Sequence, residues 1–421
     1  MGAASSSWEP PKDWRGRAIE LLWSESSPFA GGANPPVGAL SFFDCDASQE
    51  ESVANVELWI KERVRAIANA NPWIAGRLVN LDGKRQLVYP SQISDDDLDR
   101  LLLINPPDFA PEPSMSPDEL STEYQKVEMG NVYDKHDALV SRFVSSRTAS
   151  GLSILFIMSH VVGDGITFYS IFNQLSSTAE IKALSAKRKP QFDDPEVGVL
   201  KVLGMDMNKA LLRPASVISM LKGMLMGASP RLIRSIVDDN AIKAAKAEAK
   251  QAGEVPYVSS NDILTSAFAN KIGADVCIMA INLRCRIDGI DESDMGNYEN
   301  GLLFDASCSA TPSNVRKAMM HPALKCRETP LPSLFAAFSS KYCLISNWAS
   351  GSASLELPNC TESLHQPVFN VSSMSHSLPF DVAMIFRAAG PRKGRLGLMW
   401  FTRTPGAEHE LLAGLPLIEE S

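Results

Sequence analysis

Val53, Val56, Ile60, Val64 and Ile67 recur at spacings of three or four, the period of a helix that buries one face. The run stops at Asn71-Pro72, where proline disfavours helical geometry in the residue before it. Two strands are predicted at Ala138 to Val144 and Leu152 to Met158, joined by a Ser/Thr/Gly turn. The second is apolar throughout, so it is expected to be covered on both faces. Phe168, Tyr169, Phe172 and Leu175 then return to helical spacing. Ala210 to Val237 reads as a Met-rich, basic-flecked helix, taken as a core or lid helix in preference to one lying on a membrane. Its Met220 to Met226 stretch would suit the flank of an adaptable apolar pocket. Ala241 to Ala252 is a strong helix former stopped by Gly253. Ser259 and Asp262 have capping-box spacing ahead of the stripe Ile263, Leu264, Ala267 and Phe268. Further strands are predicted at Cys277 to Leu283, Val382 to Arg387 and Leu396 to Phe401.

A chain of 421 residues exceeds the usual single core, so two α/β domains are expected. Residues 1–36 are rich in Ser, Pro and Gly around one apolar cluster, Ile19 to Trp23. Residues 91–135, acidic and Pro-rich, read as a solvated excursion, with Asp95-Asp96-Asp97 as a solvated turn. Lys182 to Pro195 is polar and punctuated by proline, which suits the start of an interdomain connection. The division that follows is 1–195, a helical crossover at 196–255, and 256–421.

Composition narrows the class. The net charge of −9, with no basic block, argues against nucleic acid. Seven scattered cysteines (45, 277, 285, 308, 326, 343 and 360) show no zinc or Cys-x-x-Cys spacing, so no metal site is expected. They read as thiols in a reducing compartment, not as a disulfide framework. No secretory signal or apolar run of membrane-spanning length is present, and a cytoplasmic protein is expected. Met1-Gly2-Ala3-Ala4-Ser5-Ser6 fits the N-myristoylation pattern at Gly2, a loose match whose single acyl chain would bind membranes only marginally.

The stretch SILFIMSHVVGDGITFY, from Ser153 to Tyr169, carries the candidate chemistry. His160 follows the end of a buried strand, where a side chain can point into a cleft. Gly163 and Gly165 bracket Asp164 and would let the backbone turn sharply. The bland alternative is a satisfied core histidine beside a helix N-cap aspartate. No Gly-x-Ser-x-Gly elbow, P-loop or Gly-x-Gly-x-x-Gly occurs, which argues against serine hydrolase and nucleotide chemistry. His321, His365, His376 and His409 lack partners at ligand spacing and read as surface or packing residues.

Taken in order, further segments resemble the plant-and-fungal acyltransferases called the BAHD family, within the CoA-dependent acyltransferase superfamily. NPWIAGRLV (Asn71 to Val79) resembles the family's YPLAGRL segment, and His160 to Gly165 its HxxxDG motif. Ser259 to Phe268, INLRCRIDGIDESDMGN (Ile281 to Asn297) and LISNW (Leu344 to Trp348) resemble its S-x-N-D-x-L-T-A, N-x-R-x-R…GN and TSW elements. The family's DFGWG element is replaced by QPVFNVSSM, which keeps Phe369, and Ser159 stands where related branches have a second histidine.

The resemblance implies two chloramphenicol-acetyltransferase-like domains, each a mixed β-sheet with flanking helices, and a channel at their interface. It implies a monomer that transfers an acyl group from acyl-CoA, as co-substrate, to an alcohol or amine on a small molecule, with no permanently bound cofactor. A carrier-protein condensation domain and a degenerate binding module are the alternatives. His160 would be the general base, an imidazole being the side chain that titrates near neutral pH. Asp164 could orient His160 directly, but the resemblance implies that it points away and pairs with Arg284 to hold the His160 loop. Ser346 and Trp348 would hydrogen-bond the tetrahedral intermediate, with a buried packing role for Trp348 as the plain alternative. Asn297 would support the Gly296 turn.

Overall fold

The computed structural model describes residues 16–26, 36–45, 50–81, 84–129, 139–321, 324, 326–372, 374, 379–388, 394–404, 410 and 412–419. Gly2, His376 and His409, three residues singled out above, lie outside that set.

Two sheets carry the architecture. The six-stranded sheet runs in the order Glu356–Leu357, Cys360–Val368, Val37–Cys45, Gly151–Met158, Ser141–Thr148 and Leu102–Ile104. Its pairs are antiparallel except the last. The seven-stranded sheet runs in the order Glu299–Asp305, Val276–Asn282, Tyr342–Asn347, Asp381–Arg387, Leu396–Thr402, Arg231–Val237 and Leu417–Glu419. Tyr342–Asn347 lies parallel to both its neighbours. A three-stranded sheet, Gly16–Glu20, Lys84–Pro90 and Arg77–Leu81, flanks the pair. Cys360–Val368 is late in the chain yet sits in the sheet built from early strands.

Both large sheets are covered on both faces, as a continuous apolar strand such as Gly151–Met158 requires. One core joins helix Glu50–Ala70, through Val53, Val56, Ile60, Val64 and Ile67, to Phe143, Phe156 and Phe168 and to Val382 and Met384 of the other sheet. A second packs helices Asp239–Ala252, Ser260–Ile272 and Pro312–Met320 on the far face of the seven-stranded sheet. A third lies between helix Pro117–Val127 and the outer face of the six-stranded sheet.

Several expectations need correction. Residues 91–129 are not simply solvated. Ser94 and Asp97 close a capping box that starts helix Asp95–Leu101, which buries Leu98 and Leu101. The three aspartates lie in its first turn, where the helix dipole favours negative charge. Ser116 and Glu119 cap the next helix in the same way, and Leu120, Tyr124 and Val127 are buried beneath it. Acidity at a helix start had the look of solvation.

Ala210 to Val237 is also not one helix. It holds helix Pro214–Met226 and then, past Gly227 and Pro230, strand Arg231–Val237. The helix is not a core helix, since only Ala215, Ser216 and Ser219 are buried, but it borders a cleft through Ser219, Met220, Lys222, Gly223 and Met226.

The cysteines are not all free. Cys45 and Cys360 form a disulfide. They stand 315 residues apart in sequence but opposite each other in antiparallel register, with Cα atoms 4.3 Å apart. Only strand pairing brings them together, so no spacing rule could find them. Among the described residues, no helix is long and apolar enough to cross a membrane, and no cluster of His, Cys, Asp and Glu could hold a metal ion.

Candidate active site

His160 leaves the sheet where Gly151–Met158 ends. The Ser159 amide donates to the Val140 carbonyl and the Val162 amide to the Ser159 carbonyl, so the chain turns within four residues. Asp164 then caps helix Gly165–Phe172, accepting from the Thr167 amide at 2.9 Å. Neither flanking glycine has a positive φ, which corrects the expectation of a sharp glycine turn. Space is the reason for Gly163: a Cβ there would lie 2.5 Å from Thr167. Gly165 lies against the Trp348 ring, where a Cβ would be 3.5 Å from Nε1.

The other half of the site comes from the loop between Val276–Asn282 and Glu299–Asp305. The Asn297 amide nitrogen donates to the carbonyls of His160, at 2.7 Å, and Val161, at 3.1 Å. That fixes its oxygen as an acceptor, 3.1 Å from His160 Nδ1. In the neutral ring Nδ1 therefore carries the proton and Nε2 presents a lone pair. Asn297 thus does more than support a turn, because it sets the tautomer. Gly296, at φ +150°, needs to be glycine: a Cβ would lie 3.1 Å from Tyr298 and 3.3 Å from Glu25.

Asp164 points away from His160. Its carboxylate faces Arg284, with Nη1 to Oδ2 at 2.7 Å and Nη2 to Oδ1 at 3.2 Å, and both side chains are almost fully buried. The Tyr298 amide also donates to Asp164. Arg284 continues outward to the Asp294 and Gly296 carbonyls and the Thr167 hydroxyl. Burial pushes the Asp164 carboxyl up, but the Arg284 charge and the hydrogen bonds from Arg284 and Thr167 outweigh it and hold the group below its ordinary range. The pair staples the His160 loop to the second half of the chain.

A cavity of about 170 Å³ opens between the halves. His160, Gly165, Glu299, Ser346, Trp348 and Phe369 line it, within walls that are largely apolar. Sequence reasoning thus named four of its side chains or backbone positions and missed Glu299. Glu299 Oε1 lies 3.5 Å from His160 Nε2. Withdrawal from water pushes its carboxyl up, His160 pulls it back, and Asp164 adds to the rise. Trp348 both lines the cavity and packs edge-on to Tyr169 and against Phe168 and Phe369, so its packing role is compatible with a place at the cavity.

Two further residues behind the site escaped notice. Glu25 and Arg188, both buried, pair at 2.8 Å. Glu25 accepts from the Asn297 amide, and Arg188 donates to the Val162 and Met295 carbonyls. They stand 163 residues apart in sequence, so no local signal marks them. Asn297→Leu removes the acceptor that fixes the ring and leaves two carbonyls without donors. We expect kcat to fall on the order of a hundredfold, with loss of the Nδ1-protonated imidazole in 15N spectra of labelled protein.

His365 is buried against the rings of Tyr169 and Phe172, its ring nitrogens against Ser41 Oγ at 2.8 Å and Tyr169 OH at 3.0 Å. The packing reading of this residue holds. Burial pushes its pKa down to about 4. Between the ordinary histidine value of about 6.5 and pH 4 the unfolded chain therefore binds a proton that the folded one does not, so stability falls as pH falls. Urea unfolding at several pH values should show a loss of about 3 kcal/mol across that window. In His365→Asn that loss should be absent.

A second cleft, of about 620 Å³, lies further along the same strands. Tyr342, Leu344 and Ser346 alternate onto one face of one strand, as do Phe380, Val382 and Met384 on its neighbour. The first residues of these sets line the second cleft and the last ones the His160 cavity. Tyr342 and Ser346 are about 13 Å apart at strand rise. Lys222, Lys271, Lys341 and Arg403 ring this cleft, with Met220 and Met226 beside them. Among the described residues its one carboxyl, Asp381, is pushed up by burial.

No protein-family model matches the chain, and no curated protein matches it. Solved structures do. F. graminearum TRI101, complexed with coenzyme A and deoxynivalenol, is similar over 92% of this chain and 95% of its own, with 14% identity and a TM-score of 0.58. The trichothecene 15-O-acetyltransferase TRI3 from Fusarium sporotrichioides is similar over 98% of both chains, at 12% identity and a TM-score of 0.57. The condensation domain of the monacolin K polyketide synthase MokA is similar over 94% of this chain and 95% of its own, at 13% identity and a TM-score of 0.57. The chain therefore shares the overall fold of these three structures.

Proposed function

We propose that this chain transfers an acyl group from acyl-CoA to a hydroxyl or amine of a small molecule, as a monomer, with His160 as general base. The observation that carries the reading is the His160 ring, pinned through Nδ1 by Asn297 with its Nε2 at the cavity between the halves, 3.5 Å from Glu299 Oε1. The acceptor X–H gives its proton to Nε2 as X attacks the thioester carbonyl. The oxyanion accepts from the Ser346 hydroxyl and the Trp348 indole, which line the same cavity. Collapse breaks the C–S bond, and the proton passes from His160 to the departing thiolate. Asp164, Arg284, Gly163, Gly165 and Asn297 are positioning residues. The division at 195 and 256 remains our proposal for the domain limits, with strand Cys360–Val368 lent to the first domain's sheet, and strand Arg231–Val237 and helix Asp239–Ala252 of the crossover built into the second domain.

The four-cation cleft supports a donor with a phosphorylated nucleotide, since phosphates seek such groups. A carrier-protein thioester has no nucleotide to place there. Steady-state assays comparing acyl-CoA with the same acyl group on N-acetylcysteamine show whether the nucleotide is used. Turnover of acyl-CoA is expected, with Lys271→Ala/Lys341→Ala raising KM for it by about tenfold or more, the weight of a charge-assisted hydrogen bond, and leaving kcat nearly unchanged. Turnover of the short thioester alone, indifferent to both lysines, would overturn the CoA reading.

A further inference from the structure

Helix Pro214–Met226 is inside out. It buries small residues, Ala215, Ser216 and Ser219, keeps Val217, Ile218 and Met220 half-buried, and turns its other large apolar side chains to water. Leu225 is 83% exposed and Met226 77%, and Leu221 and Met224 accompany them. The turn after it in space adds to the patch. Ser219 Oγ donates to the Ser340 carbonyl and Lys222 Nζ to that of Phe338, so residues 334–338 sit beside the helix. There Phe335 is fully exposed, Phe338 65% and Leu334 57%. Single exposed hydrophobes are ordinary, but seven large ones on two adjoining segments mark an interaction surface.

Charge selects the occupant. The two segments, 213–231 and 329–341, contain Arg213, Lys222, Arg231 and Lys341 and no Asp or Glu, in a chain with 49 of them and a net charge of −9. Protruding Leu, Met and Phe within a cationic border match the chemistry of an anionic bilayer surface, with apolar tips for the acyl boundary and cations for the headgroups. We propose that this face docks the protein on anionic lipid membranes. The inference does not depend on the acyl-transfer reading, although Lys222, Met226 and Lys341 border both this face and the four-cation cleft, and no span is involved.

Co-sedimentation of the full chain with vesicles tests it, using phosphatidylcholine alone and phosphatidylcholine with about 30% phosphatidylserine. Binding to the anionic vesicles is expected, weakened by salt and at least about tenfold lower without the charged lipid. Leu225→Ser/Phe335→Ser should lower that partition by about tenfold without shifting Tm, and Arg213→Glu should lower it further. Equal binding to both vesicles, no binding, or binding indifferent to the double variant would overturn the proposal. So would a dimer in light scattering that the double variant breaks, because the occupant would then be a second copy.

Discussion

His160→Ala is expected to lower kcat for acyl transfer by between about a hundredfold and ten-thousandfold, the range for loss of a positioned general base. An unassisted hydroxyl is a poor nucleophile at neutral pH, and no other imidazole lines the cavity among the described residues. The substitution leaves the backbone carbonyl that Asn297 holds, and the side chain it removes is partly exposed, so the fold and the Tm should be preserved. KM for acyl-CoA should change little, because the cation-lined cleft lies about 13 Å away along the strand. A drop in kcat with retained donor affinity assigns His160 to the chemistry. A drop in folded protein would not, and near-normal kcat would remove His160 from the mechanism.

Arg284→Met should cost about 3–5 kcal/mol of stability, because it strands the fully buried Asp164 carboxylate. The pH dependence identifies the cause. In the native chain Asp164 lies below its unfolded value, so its contribution is present above about pH 4 and fades as pH falls further. In the variant, burial without the guanidinium raises the carboxyl above its unfolded value, and stability should instead decline as pH rises from 4 to 7. Asp164→Asn in the Arg284→Met background should recover part of the loss, since no buried charge remains. Urea titrations of the wild type and the two variants read these terms. A parallel loss at every pH would reduce Arg284 to packing. Activity should fall with either single change, as the staple on the His160 loop is released.

How much of this was legible in the sequence depends on range. Helix Glu50–Ala70 and the Ser259 capping box were readable because their signals repeat within one or two turns. Asp164 with Arg284, 120 residues apart, was reachable only through the family resemblance. Glu25 with Arg188, the Cys45–Cys360 bond and Glu299 beside His160 arise from strand pairing and loop packing, which leave no periodic mark. The strand Arg231–Val237 was hidden by the helical, Met-rich run before it. Its register beside Leu396–Thr402 is a tertiary fact.

The most direct test of the central claim is release of CoA thiol by the wild-type chain from a panel of acyl-CoAs, with and without mixed alcohol and amine acceptors, alongside the intact mass of the protein. Direct transfer predicts acceptor-dependent release, an acylated acceptor, and a protein mass that never gains the acyl group. Release without acceptor together with an acylated protein, or no release from any donor with any acceptor, would contradict the account.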